Sequence, residues 1–145
     1  MSEQVIKFFE QDRFAAYIGL KLIKAEPGIA EVELEINEHH YNAVNMIQGG
    51  VIFTLADFAF AAASNAGGQV TVGINANVTY LKATKGKVLF AEAKEISASK
   101  KITNYVVHVF DEMKELIASL SFTGYKKEAI LNFSNGGNRY GMDVI

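Results

Sequence analysis

The sequence predicts an α+β domain in which a curved antiparallel β-sheet wraps around one long central helix. Three observations carry this reading. From Val51 to Ala63 the chain is apolar except at Thr54 and Asp57, and a helix apolar on all sides is normally buried. Glycine pairs, Gly49-Gly50 and Gly67-Gly68, bracket that run. Around it lie segments of apolar–polar alternation joined by tight turns, as in antiparallel strands. One sheet curling around one helix is the simplest way to hide the helix.

Residues 3–17 read as an amphipathic helix with Val5, Phe8, Phe9 and Phe14 on one side. Leu20 to Lys24 reads as a strand, and Ala25-Glu26-Pro27-Gly28 holds the only proline, a turn signal. Next comes strict alternation: Ala30, Val32, Leu34 and Ile36 face one way, and Glu31, Glu33 and Glu35 the other. Residues 38–47 are polar and turn-like. The long helix runs from about Gln48 to Asn65, and Ala66-Gly67-Gly68 ends it, as glycine does past a helix C-terminus. Strand-like segments follow at residues 70–81, 87–98, 103–111 and 116–126. Lys85-Gly86-Lys87 and Asp111-Glu112-Met113-Lys114 are the turns between them. The domain spans residues 1–130, helix 1–17 included. Residues 131–145 have no period and read as a mobile tail, the usual state of termini. Arg139 and Tyr140 in that tail are the alternative, as groups docking on a neighbouring subunit.

A length of 145 residues suits one domain, and half the residues are apolar. The net charge is −2, which gives no basis for broad electrostatic binding to nucleic acid or to a membrane surface. The apolar run around Asp57 is too short to span a bilayer, and no targeting segment is visible at the N-terminus. With no cysteine there is no disulfide, thiol nucleophile or zinc-thiolate site, and a cytoplasmic location is expected. His39 and His40 are adjacent, lack metal-site spacing and read as a solvated loop. His108 reads as a structural strand residue. No metal site is expected.

Asp57 breaks the pattern of its own helix. An unpaired charge is costly to bury, so this carboxylate must be paired, hydrated, protonated or at a cleft. Free N–H groups at a helix N-terminus point outward and carry the positive end of the dipole. Glycine at Gly49 and Gly50 lets a ligand approach that backbone. A carbonyl placed there would be polarised, and Asp57 would serve as general base or nucleophile. Eight residues separate Gly49 from Asp57, roughly 12 Å of helix rise, so one chain cannot bring both to one carbonyl. Two antiparallel copies can, which favours a two-fold dimer with two composite sites. Asn42 supplies a neutral amide for water or the carbonyl. The bland alternatives stand beside this: Gly-Gly as a turn, Asp57 bonded to a backbone or Ser/Thr partner, and Asn42 as a turn residue. Phe53, Phe58 and Phe60 read as core, with the lining of a substrate pocket as the alternative for Phe58, beside Asp57.

From Asn42 to Ala63 the chain resembles the hotdog-fold thioesterases of the PaaI type. Their pattern is an Asn, six residues on a His-Gly-Gly, then a helix reading Leu-Ala-Asp. Here it is Asn42, Gln48-Gly49-Gly50 and Leu55-Ala56-Asp57. The likeness extends from about Phe14 to Lys126, with Asp12-Arg13-Phe14, Ile18-Gly19 and Val78-Thr79-Tyr80-Leu81-Lys82 similar to family segments. It implies a hotdog fold, a homodimer with shared sites, a homotetramer of two dimers, and acyl-CoA as substrate with no cofactor. It implies Asp57 as the catalytic carboxylate, the Gly49 N–H of the opposite subunit as the group polarising the thioester, and Asn42 as the amide beside it. Gln48 and Gly50 complete the helix N-terminus. Lys100 and Lys101, in a hairpin, correspond to a region near coenzyme A phosphates, and Lys82 is a second such contact. Gln48 stands where His is usual, Asn45 where Gly is common, and Lys82-Ala83 where the family has Arg-Pro. Gln48 donates a hydrogen bond but cannot titrate. The rival readings are a non-catalytic acyl-CoA sensor and a hotdog hydratase or dehydratase. The latter usually places a His near the helix, and none occurs between Tyr41 and His108.

Overall fold

The computed structural model describes residues 2–133 and 142–143. Two short helices open the chain, α1 (Ser2–Phe9) and α2 (Arg13–Ile18). The hairpin β1 (Leu20–Glu26) and β2 (Ile29–Glu35) follows, then a 3-10 turn at Glu38–His40 and the long helix α3 (Gly49–Asn65). After it come β3 (Gln69–Tyr80), β4 (Val88–Ala98), β5 (Ile102–Asp111), β6 (Leu116–Leu131) and the two-residue β7 (Met142–Asp143). The sheet order is β1-β2-β4-β5-β6-β3, with β7 on β6, and every neighbouring pair is antiparallel. This is the expected sheet around a helix.

Alternation places the core. Ala30, Val32 and Leu34 of β2, Leu89, Ala91 and Ala93 of β4, and Val107 and Val109 of β5 are all buried. They enclose Leu55, Ala56, Ala59, Ala62 and Ala63 of α3, also buried. Alanine on both surfaces lets helix and sheet lie close, so dispersion contacts are dense. The far end of α3 is tied to the sheet by the buried Asn65. Its Nδ2 donates to the Ala61 carbonyl at 2.8 Å and the Thr71 carbonyl at 3.1 Å, and its Oδ1 accepts from the Thr71 N–H at 2.8 Å.

Several expectations are corrected. The N-terminal helix is two helices, because Asp12 caps α2 by accepting from the Ala15 N–H at 2.9 Å. Phe14 is 60% exposed and does not share the buried side with Val5. His40 is no loop residue in water. It is 2% exposed, its Nδ1 accepts from the Asn37 N–H at 3.0 Å, and its Nε2 meets the Ile18 carbonyl at 2.7 Å. β6 runs five residues past Lys126, because Ile130 pairs with Gln69 at the start of β3. Leu131, expected at the start of a mobile tail, closes that strand, and Phe133 packs edge-on against Phe8 with ring centroids 5.3 Å apart. Met142 and Asp143 pair with Leu131 and Ile130. Arg139 and Tyr140 lie outside the described residues. Among the described residues no helix is long and apolar enough to cross a membrane.

β3 is an edge strand and remains open on both faces along most of its length. Val72 is 41% and Ile74 57% exposed. α3 also keeps one open stripe: Gly50, Thr54, Asp57, Ala61 and Ser64 follow one another at helical spacing and are exposed or half-buried.

Candidate active site

The loop leading into α3 is built by its own side chains. Asn42 donates its N–H to the Met46 carbonyl at 2.7 Å, and its Oδ1 accepts from the Val44 and Met46 N–H groups at 3.0 Å each. The Asn42 oxygen is thereby occupied, and its Nδ2 is the group left for a ligand. Asn45, where glycine is common in the family it resembles, has φ +62. Asparagine tolerates that left-handed conformation better than most residues. The His40 carbonyl accepts from the Gln48 N–H at 2.9 Å, which anchors the far end of the loop.

Gln48 is the N-cap of α3, its side-chain oxygen accepting from the Gly50 N–H. The Val51 N–H is taken by the Gln48 carbonyl at 2.9 Å. Among the described residues, the Gly49 N–H is then the unoccupied donor of the first turn. Gly50, expected beside it as a free N–H, is instead satisfied by its cap. On the other side of the turn the Tyr80 hydroxyl donates to the Gly49 carbonyl at 3.0 Å. A cleft of about 370 Å³ opens here, lined by Met46, Ile47, Ile52, Tyr80 and Ile117.

Asp57 lies two turns further along the open stripe. Its carboxylate has no hydrogen-bond or ion-pair partner among the described residues. Partial burial raises its pKa above the ordinary carboxylate value, and the nearby negative charge of Asp12 adds to the shift. The expected alternative of a backbone or Ser/Thr bond is absent; the nearest hydroxyl on the stripe, Thr54, donates to the Gly50 carbonyl at 2.7 Å. Phe58, one residue on, is buried and meets Phe9 edge-on at 6.3 Å. Phe9, Asp12, Ala15, Leu22 and Phe58 line a pocket of about 180 Å³.

The chain does not bring Asp57 and Gly49 together: Asp57 is outside the cleft at the helix N-terminus. Lys82 forms an ion pair with Glu115 at 3.1 Å. It stands near Asp111, whose burial would raise its pKa. Hydrogen bonds from Thr84 and from the Glu115 and Met113 N–H groups, with Lys82, outweigh that and lower it. Lys100 and Lys101 are exposed and flank a cleft of about 490 Å³ together with Lys126 and Lys127. Sequence reading missed that last pair because the pairing of Ile102 with Tyr125 brings β6 beside the hairpin. It also missed Tyr80, whose partner is 31 residues away, and the effect of Asp12.

A family model described as the thioesterase superfamily matches residues 45–118, which contain the α3 N-terminus, Asp57 and the cleft. A protein of Archaeoglobus fulgidus is 36% identical over 81% of this chain and 77% of its own. The acyl-coenzyme A thioesterase PaaI of Escherichia coli is 27% identical over 76% of this chain and 79% of its own. Among solved structures, a mutant of the phenylacetic acid degradation protein PaaI from Thermus thermophilus superposes with a TM-score of 0.75 at 30% identity. The match covers 79% of this chain and 98% of that one.

Proposed function

This chain belongs to the thioesterase superfamily and has its hotdog fold, and on that premise we propose that it hydrolyses an acyl-CoA thioester to a carboxylic acid and free coenzyme A. The observation that carries the reading is Asp57, a carboxylate without a partner among the described residues, on the open stripe of α3 and with its proton affinity raised. A base of raised pKa accepts a proton from water more readily. In the proposed reaction Asp57 draws a proton from a water molecule as that water attacks the thioester carbon. The alternative role is direct attack by the carboxylate, followed by hydrolysis of the acyl-enzyme. The carbonyl oxygen becomes an oxyanion, and the Gly49 N–H of the partner subunit at the positive end of α3 stabilises it. The C–S bond then breaks, and the coenzyme A thiolate takes up a proton. Asn42 orients the carbonyl or the water through its Nδ2.

This route uses only groups of the chain and water, so we propose no cofactor; coenzyme A is part of the substrate. Lys100 and Lys101, with Lys126 and Lys127 beside them, offer positive charge suited to phosphate. Phe58 lines the small pocket that Phe9, Leu20 and Leu22 share with Glu10, Asp12 and Lys21, and its ring is the proposed contact for the acyl group. We propose a two-fold dimer, and two such dimers as a tetramer. The open α3 stripe and the exposed β3 edge support the first step.

A panel of aromatic, short-chain and medium-chain acyl-CoAs, read by release of free thiol, tests the activity. Turnover of at least one member, lost in Asp57→Asn, is the expected result. Stoichiometric binding without hydrolysis by the wild-type protein would leave an acyl-CoA binding protein instead.

A further inference from the structure

The first turn of α3 is held from two sides, by its own cap with the Thr54 hydroxyl and by a group of the sheet. Gln48 caps it from within. The group of the sheet is Tyr80, the last residue of β3, whose hydroxyl donates to the Gly49 carbonyl at 3.0 Å. The backbone of Tyr80 is itself fixed. It pairs with Ala118 on β6, and the next two N–H groups, of Leu81 and Lys82, both donate to the Ile117 carbonyl at 2.8 and 3.2 Å. The ring also stands directly over Gly49. A Cβ added at Gly49 would lie 3.0 Å from the hydroxyl oxygen and 3.1 Å from the ring carbon that bears it. Glycine at this position therefore gives room to Tyr80, and not only to a ligand as its place at the helix start implies.

We propose that Tyr80 is a positioning residue for the thioester reaction, an inference that rests on the Gly49 N–H being the oxyanion donor. The hydroxyl ties the Gly49 carbonyl to the sheet, so the first turn of α3 cannot slide or fray relative to β3. The Gly49 N–H, the open donor of that turn, is then held at a fixed place above the cleft that Tyr80 also lines. A donor fixed before substrate arrives costs no reorganisation as the oxyanion forms. The half-exposed ring makes the hydroxyl bond separable from core packing, since Tyr80 is 51% exposed.

Tyr80→Phe keeps the ring and removes the hydroxyl; Tyr80→Ala removes both. Expected for Tyr80→Phe are unchanged cooperative unfolding, KM within about twofold, and kcat lowered about tenfold. Complete loss of an oxyanion donor costs about 100- to 1000-fold, and here the donor is loosened, not deleted. In ¹⁵N-labelled protein the Gly49 and Gly50 amide signals should move in Tyr80→Phe while those of Asn65 and Thr71 stay in place. Wild-type kcat in Tyr80→Phe, with or without loss in Tyr80→Ala, overturns the proposal, because the ring alone would then suffice. Unmoved Gly49 and Gly50 signals overturn it as well. If the wild-type protein hydrolysed no thioester, the thioesterase reading would fall on that result alone and the positioning role with it. An active wild type beside an unaffected Tyr80→Phe removes only the role of Tyr80.

Discussion

At Asp57 function and stability pull in opposite directions. Its pKa is raised first by burial and then by the charge of Asp12. A carboxyl with a raised pKa in the folded state holds its proton more tightly folded than unfolded. Folding is penalised as pH rises from the ordinary carboxylate value through the raised one, and the penalty is fully present at neutral pH. Asp57→Asn should therefore melt no lower than wild type at pH 7, and higher if the group is dehydrated further in a dimer. Its turnover should fall by about 100-fold or more. Thermal melts at pH 7 beside kcat measurements check both halves; a normal rate would remove Asp57 from the mechanism. In the proposed mechanism the same carboxylate sets the acid limb of the pH–rate profile, because the ionised form is the base. Asp12→Asn removes a negative charge and retains a side chain that caps helices. The Asp57 pKa should fall, and the acid limb should move to lower pH. A limb that stays in place would show that Asp12 exerts no field on the reacting group.

Element boundaries depend on caps, and their costs differ by burial. Gln48→Ala removes the N-cap of α3 at an exposed site and should cost about 1 kcal/mol. Asn65→Ala leaves the Thr71 N–H and carbonyl without their side-chain partner at a buried site, so about 2–3 kcal/mol is expected. Urea unfolding of both variants checks the order. The two ends of α3 were readable in advance because their signals are local: glycine pairs flank an apolar run bounded by Gln48 and Asn65. Strand alternation was readable for the same reason, since Val32 and Leu34 carry their own period. What escaped was set by distant partners. His40 looks like a polar loop residue until the Ile18 carbonyl, 22 residues away, receives its Nε2. The extra length of β6 depends on β3, and the break between α1 and α2 on one cap, Asp12, inside an otherwise amphipathic run. At the site, Asp57 and Gly49 stood out by residue type. Asn42 was foreseen as an amide, but not that its oxygen is already engaged with its own loop.

At the scale of the whole molecule the proposed mechanism requires Asp57 and Gly49 to meet, and helix rise keeps them roughly 12 Å apart in one chain. The exposed row on β3 and the open stripe of α3 are the surfaces a second copy would cover. Ile74→Lys, on that edge and 57% exposed, should weaken the dimer and abolish turnover without touching either reacting group. Sedimentation and activity measured across protein concentration would reveal it. Complementation tests the shared site itself. Asp57→Ala removes the base. Gly49→Val sets a branched side chain where even a Cβ would crowd the Tyr80 hydroxyl at 3.0 Å, displacing the N–H proposed to receive the oxyanion. Each variant alone should be nearly inactive. Dissociated, mixed and re-paired at random, they should form heterodimers as half of all dimers. Under two-fold symmetry one site of each heterodimer carries both lesions and the other carries neither. Activity should return to about a quarter of wild type, from half the dimers with one sound site each. If both groups acted within one chain, each site of a heterodimer would keep one lesion. Heterodimers purified by two different tags would then stay inactive, and the two-fold arrangement would have to be abandoned.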